Sequence, residues 1–206
     1  GGQKSTEGIY KDGVQDGSWT HWYENGKKDS EGIYKNGKQD GLWMHWYENG
    51  SKWYEVSFKN GKEEGKYEQL SDSSKQIIIV EGQYKNGKKE GNWIHYYDNG
   101  PKSFEGFYIK GKEHGKKIWW YNSGNLEKEQ TYDKGKLSGE YITYYRAGGV
   151  RTDGKMLNNE MEGKWSFYFH NGEKELECKF TSGTLVGLVT MWHDNGVLQY
   201  TTYISN

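Results

Sequence analysis

The sequence predicts an all-β fold: an elongated single-layer antiparallel sheet of tandem hairpin repeats, a rod of about 16 strands. Three observations predict it. The stretch from Gly32 to Gly50 returns every 24 residues, with a single longer interval of 26, and a fixed period of this size marks a repeat architecture. Turn residues interrupt the chain every 8–12 residues, and the periodicity within the runs is two, which suits strands and not helices. Finally, aromatic residues make up 17% of a chain that is otherwise polar, with a mean hydropathy of −1.14. Trp and Tyr bury large area while tolerating water, as a thin sheet requires.

The period divides residues 1–206 into one array of eight units: 6–29, 30–53, 54–79, 80–103, 104–127, 128–151, 152–175 and 176–199, with a partial ninth strand at 200–206. Each unit offers two strands and two turns. Asn25-Gly26, Asn49-Gly50, Asn99-Gly100, Asn171-Gly172 and Asn195-Gly196 are expected to form two-residue type I′ turns. The segment from Lys35 to Gly41 is the longer connection. That turn choice sets a register in which Trp19 faces Gly32, Tyr67 faces Gly82, Trp93 faces Gly106, Tyr141 faces Gly154 and Trp165 faces Cys178. A ring over a small residue restores the area that glycine cannot bury. The irregular third unit lacks Tyr-x-Asn-Gly over 71–80 and is expected to be the weakest place, a bend or hinge.

Composition narrows the function. Acids and bases are interspersed at a net charge of −1, so no field gathers nucleic acid or supports peripheral lipid contact. No apolar run is long enough for a transmembrane helix, and no signal is visible that would fix the compartment. Cys178 is the single cysteine, so no internal disulfide framework is expected.

The pattern Glu-Gly-x-Tyr-x-x-Gly-Lys-x-x-Gly-x-Trp-x-x-(Trp/Tyr)-Tyr-x-Asn-Gly, as at 31–50 and 81–100, resembles the MORN repeat, more closely its bacterial, YwqK-like variant. The resemblance implies an open sheet of hairpins used for protein–protein contact or dimerisation. It also implies phosphoinositide binding, or an antitoxin role against a toxin partner.

No catalytic set, metal site or cofactor is expected. His21, His45 and His95 share one repeat position, but equivalent strands lie about 9.6 Å apart, too far to share a metal. The glutamates preceding each glycine are equally separated and are matched by lysines on the same face, which reads as a solvated ladder. The expected function is a non-catalytic scaffold whose partner is a protein or another copy of itself. Aromatic hairpins also resemble choline- and cell-wall-glycan-binding repeats, the ligand-binding alternative. The expected binding surface is the aromatic column that leaves the Glu-bearing face: Trp22, Trp46, Leu70, Tyr96, Trp120, Tyr144, Tyr168 and Trp192, broadened by Trp53 opposite Trp46.

Overall fold

The computed structural model describes residues 5–205. Its strands fall into two compact units, Gly1–Pro101 and Lys102–Asn206. The first holds β1 (Thr6–Lys11), β2 (Val14–Trp22), β3 (Lys28–Lys35), β4 (Lys38–Trp46), β5 (Lys52–Lys59), β6 (Lys62–Leu70), β7 (Ile78–Lys85) and β8 (Lys88–Tyr96). The second holds β9 (Lys102–Ile109), β10 (Lys112–Trp120), β11 (Leu126–Asp133), β12 (Lys136–Tyr144), β13 (Val150–Leu157), β14 (Glu160–Tyr168), β15 (Lys174–Thr181), β16 (Thr184–Trp192) and β17 (Leu198–Ile204). Within each unit every strand pairs antiparallel with the next in sequence, an open meander one layer thick. No helix occurs among the described residues. The last strand, expected at 200–206, begins at Leu198; Asn206 lies outside the described residues.

The two turns exchange the types expected of them. The two-residue turn is Asn36-Gly37, joining β3 to β4: φ is +50° at Asn36 and +74° at Gly37, so both residues are left-handed, as type I′ requires. At Asn25-Gly26 only Gly26 is left-handed, at +81°. There Tyr23 N–H donates to the Lys27 carbonyl at 2.9 Å, which closes a three-residue loop. The Asn25 side chain accepts from Lys27 N–H at 2.9 Å, and that bond is the reason for asparagine here.

A three-residue loop should shift the register by one residue, yet Trp19 still pairs with Gly32. A bulge absorbs the difference: Trp22 pairs with Lys28 and His21 with Ser30, leaving Asp29 as the extra residue. The inferred register holds although the turn beneath it is different. Tyr67 pairs with Gly82, Tyr141 with Gly154 and Trp165 with Cys178 in the same way. Trp93 belongs to the first unit and Gly106 to the second.

A second bulge explains the other invariant glycine of the repeat. Gly8 pairs with Trp19 but Ile9 pairs with Asp16, so β2 accommodates two additional residues, Gly17 and Ser18. Gly17 sits at φ +74° and Gly41, its counterpart in β4, at +76°. An L side chain is strained in that conformation.

The side-chain packing corrects which glycine each ring covers. Trp19, Trp43, Trp93 and Trp165 each lie over the glycine eleven residues before them, in their own hairpin. A Cβ on Gly8 would meet Trp19 at 2.1 Å, on Gly32 Trp43 at 2.3 Å, on Gly82 Trp93 at 2.3 Å and on Gly154 Trp165 at 2.2 Å. Trp19 therefore pairs in register with Gly32 but shields Gly8. Where the ring is smaller the covered residue is larger: Tyr67 stands eleven after Val56, and Tyr141 eleven after Gln130.

The turn of the third unit, where the hinge is expected, carries a hydrogen-bond network. Ser71 is 4% exposed, its N–H donates to the Ile77 carbonyl at 2.8 Å, and its Oγ accepts from Ile77 N–H at 3.2 Å. Tyr47 donates its phenol to the Leu70 carbonyl at 2.9 Å, and Gln76 Nε2 donates to the Lys52 carbonyl. Ser73 joins this network, its Oγ 2.8 Å from that of Ser71.

Candidate functional site

The sheet has two chemically distinct faces. On the packed face Trp43 is 1% exposed although no second layer covers it. Neighbouring rings do that work: Tyr34 meets it edge-on at 5.1 Å and Phe58 at 6.3 Å, with His21 and His45 alongside at 6.3 Å each. The indole N–H donates to the Ile33 carbonyl at 3.2 Å. His45 stacks on Tyr54 at 4.2 Å, and burial pushes its pKa below the ordinary imidazole value. Cys178 is buried opposite Trp165, and burial raises its thiol pKa, the reverse of what a nucleophile needs.

Four tyrosines that each follow a Trp or Tyr of the outer column stitch repeat to repeat. The phenols of Tyr23, Tyr47, Tyr121 and Tyr145 donate to the carbonyls of Trp46, Leu70, Tyr144 and Tyr168, each 23 residues on. The turn asparagines do the same along the sheet edge: Asn25 Nδ2 donates to the Glu48 carbonyl at 2.8 Å, and Asn125 Nδ2 to the Arg146 carbonyl at 3.0 Å. The Tyr-x-Asn-Gly motif is thus structural glue.

The expected binding column occupies one register slot on the other, outer face. Trp22 pairs with Lys28, Trp46 with Lys52, Trp120 with Leu126, Tyr144 with Val150, Tyr168 with Lys174 and Trp192 with Leu198. All these aromatics and Tyr96 are partly buried. Trp53 departs from its expected place. Lys52 stands opposite Trp46, and Trp53 fills the bulge, with its ring 5.4 Å from Tyr47 and 4.8 Å from Tyr54. The column is also tied into the charge ladder. Tyr96, Tyr144 and Tyr168 donate their phenols to Glu81 at 2.6 Å, Glu129 at 2.8 Å and Asp153 at 3.0 Å. Lys28 Nζ lies 5.5 Å from the centre of the Trp46 ring and Lys174 Nζ 5.9 Å from that of Trp192, cation–π contacts that leave the rings on the surface.

Glu129 is bonded by both Lys116 and Tyr144 and is 8% exposed. Burial alone would raise its pKa, but hydrogen bonds from Lys116 and Tyr144 outweigh it and hold the carboxyl below its ordinary 4.5. The Tyr144 phenol, buried and bonded to that carboxylate, is pushed up to about 12. A depressed carboxyl stabilises the fold above its unfolded pKa and loses that contribution as pH falls through the folded value. Thermal unfolding between pH 7 and pH 3 is therefore expected to show a falling midpoint below about pH 4.5, and Glu129→Gln should flatten that fall. Identical slopes in the two proteins would contradict it.

The sequence did not flag Lys117. It takes the tryptophan slot of its repeat and is 5% exposed. The rings of Phe104, Tyr108 and Tyr132 surround Nζ at 5.1, 5.0 and 4.9 Å, and Glu113 lies at 3.4 Å. Burial lowers its pKa, which Glu113 partly offsets.

A family model described as "MORN repeat variant" matches four segments, 15–36, 39–60, 113–134 and 185–206. Each covers a second strand, the three-residue loop and the following first strand, so the family's unit is phased on that loop. A comparison with curated proteins returned no match. The stretches between the matched segments keep the same pairing, as β6–β7 and β12–β13 do. Over these four segments the chain carries MORN repeats of the variant type.

Proposed function

We propose that this repeat scaffold is non-catalytic and binds protein, in the first place a second copy of itself, through the outer aromatic column. One observation carries the reading: large apolar side chains stand exposed on the column's own face. Ile33 is 48% exposed and Leu42 47%, on the strands that flank and carry Trp46, and Leu188 is 57% exposed on the strand of Trp192. An apolar patch bordered by charge on a monomer's surface marks an interaction site. Trp and Tyr are the residues that dominate such interfaces. The Glu and Lys ladder beside it supplies orientation more than affinity.

Sedimentation velocity from micromolar to millimolar concentration tests it. The native chain is expected to associate as concentration rises, while Trp46→Ala and Leu42→Asp remain monomeric with unchanged circular dichroism. A native chain that stays monomeric throughout, or variants that associate as it does, would contradict the reading.

A further inference from the structure

The packed face of the second unit opens where its rings run out. The slot pair that holds stacked His45 and Tyr54 in β4 and β5 is Thr143 opposite Thr152 in β12 and β13. Tyr141 stands in the tryptophan slot beside them. The lost volume becomes an open groove of about 1100 Å³, floored by Tyr141, Trp165 and Phe167.

Three observations say what fits there. First, the sequence contains two arginines, Arg146 and Arg151, and both line this groove. Neither forms an ion pair among the described residues. Their guanidinium carbons lie instead 6.0 Å from the Tyr121 ring and 5.9 Å from the Tyr145 ring. The lysines of the outer face, by contrast, are matched to carboxylates, as in Lys52–Glu55 and Lys164–Glu177. Glu175 is the one carboxylate on the described lining.

Second, Trp165 is 3% exposed, and its indole N–H is buried with no acceptor among the described residues. Trp19, Trp43 and Trp93 each donate to a carbonyl at 3.2 Å. A buried donor left unpaired is costly, so the packed face is less completely satisfied beside this groove than at the other three tryptophans. Third, Met156 and Met161 line the same groove, and flexible thioethers let a surface adapt to varied apolar side chains.

We propose that this groove binds an acidic peptide segment of a partner protein. Its carboxylates would pair with Arg146 and Arg151, whose planar guanidinium matches a carboxylate in two-point contact. An apolar or aromatic side chain would take the space above Thr143 and Thr152. The open trough suits an extended chain better than a small molecule, which buries most of its surface in an enclosed pocket. Of the outer column only Tyr144 is among the lining residues, so a variant at Trp46 separates this proposal from the self-association.

Tryptophan fluorescence titrations with a random glutamate–tyrosine copolymer test it, with polylysine and polygalacturonate as comparison probes. Saturable binding of the copolymer is expected, weakened about tenfold or more in the Arg146→Gln/Arg151→Gln double variant and by added salt. Thr143→His/Thr152→Tyr rebuilds the ring pair of β4 and β5, and is expected to abolish binding while the melting temperature holds. Trp46→Ala should bind normally. The proposal fails if the copolymer does not bind, or if polylysine binds as well. It fails too if Trp46→Ala removes binding that the groove variants keep. Polygalacturonate binding as tightly as the copolymer, with the same loss in the arginine variant, would reassign the groove to an acidic glycan.

Discussion

Replacing Trp43 with alanine is expected to cost about 3–5 kcal/mol, the range for a fully buried tryptophan. A sheet one layer thick would ordinarily give less, because one side of every ring should face water. Trp43 escapes that discount: it is 1% exposed, enclosed by the edges of Tyr34 and Phe58 and bonded through its N–H to Ile33. The lost contacts come from four adjacent strands, so the loss is not local. Urea unfolding followed by circular dichroism should show a lower midpoint at an unchanged slope, the sign of altered stability rather than altered compactness. A cost under about 1 kcal/mol, the level of an ordinary surface change, would mean that the ring contributes little.

Gly32→Ala should be the next most damaging change, although it adds a single methyl group. The new Cβ would stand 2.3 Å from Trp43 carbons, inside any real contact distance. Overpacking of that kind costs about 1–3 kcal/mol. The clash has one source, so the cost should vanish when Trp43 is already alanine and should persist when Trp19 is alanine. Coupling of more than about 1 kcal/mol with Trp43 and near zero with Trp19 is expected from the double-mutant cycles. Coupling to Trp19 instead would place the ring over the following hairpin.

Much of this was legible in the chain. The period gave the strand pairs, and the small partners of Trp19, Tyr67, Tyr141 and Trp165 gave the pairing register. The ring–glycine contact was legible too, at a spacing of eleven rather than thirteen: each of Trp19, Trp43, Trp93 and Trp165 follows a glycine by eleven residues. Trp19 has a glycine in register on both sides, Gly8 and Gly32, so pairing alone cannot say over which of them the ring leans. The turn types were misread because Asn-Gly serves two conformations. In Asn36-Gly37 both residues are left-handed, whereas in Asn25-Gly26 the asparagine side chain caps the loop. A bulge at Asp29 then hides the difference from any register argument. Trp53 went astray for the same reason, since a bulged residue leaves the alternation that assigns a face. The buried Lys117 and the groove at Thr143 and Thr152 could be seen only as departures from the repeat, and their surroundings come from strands on either side.

On the proposed function the two faces divide the work: packed rings hold the sheet, and outer rings serve a partner. Trp43 and Trp46 lie three residues apart on β4, one on each face. The most direct test measures urea unfolding of Trp43→Ala and Trp46→Ala side by side. Trp43→Ala is expected to lose several kcal/mol and Trp46→Ala, whose ring is partly exposed, about 1 kcal/mol or less. If the two variants unfold at the same urea concentration, the outer column is part of the framework and the division between the faces is wrong.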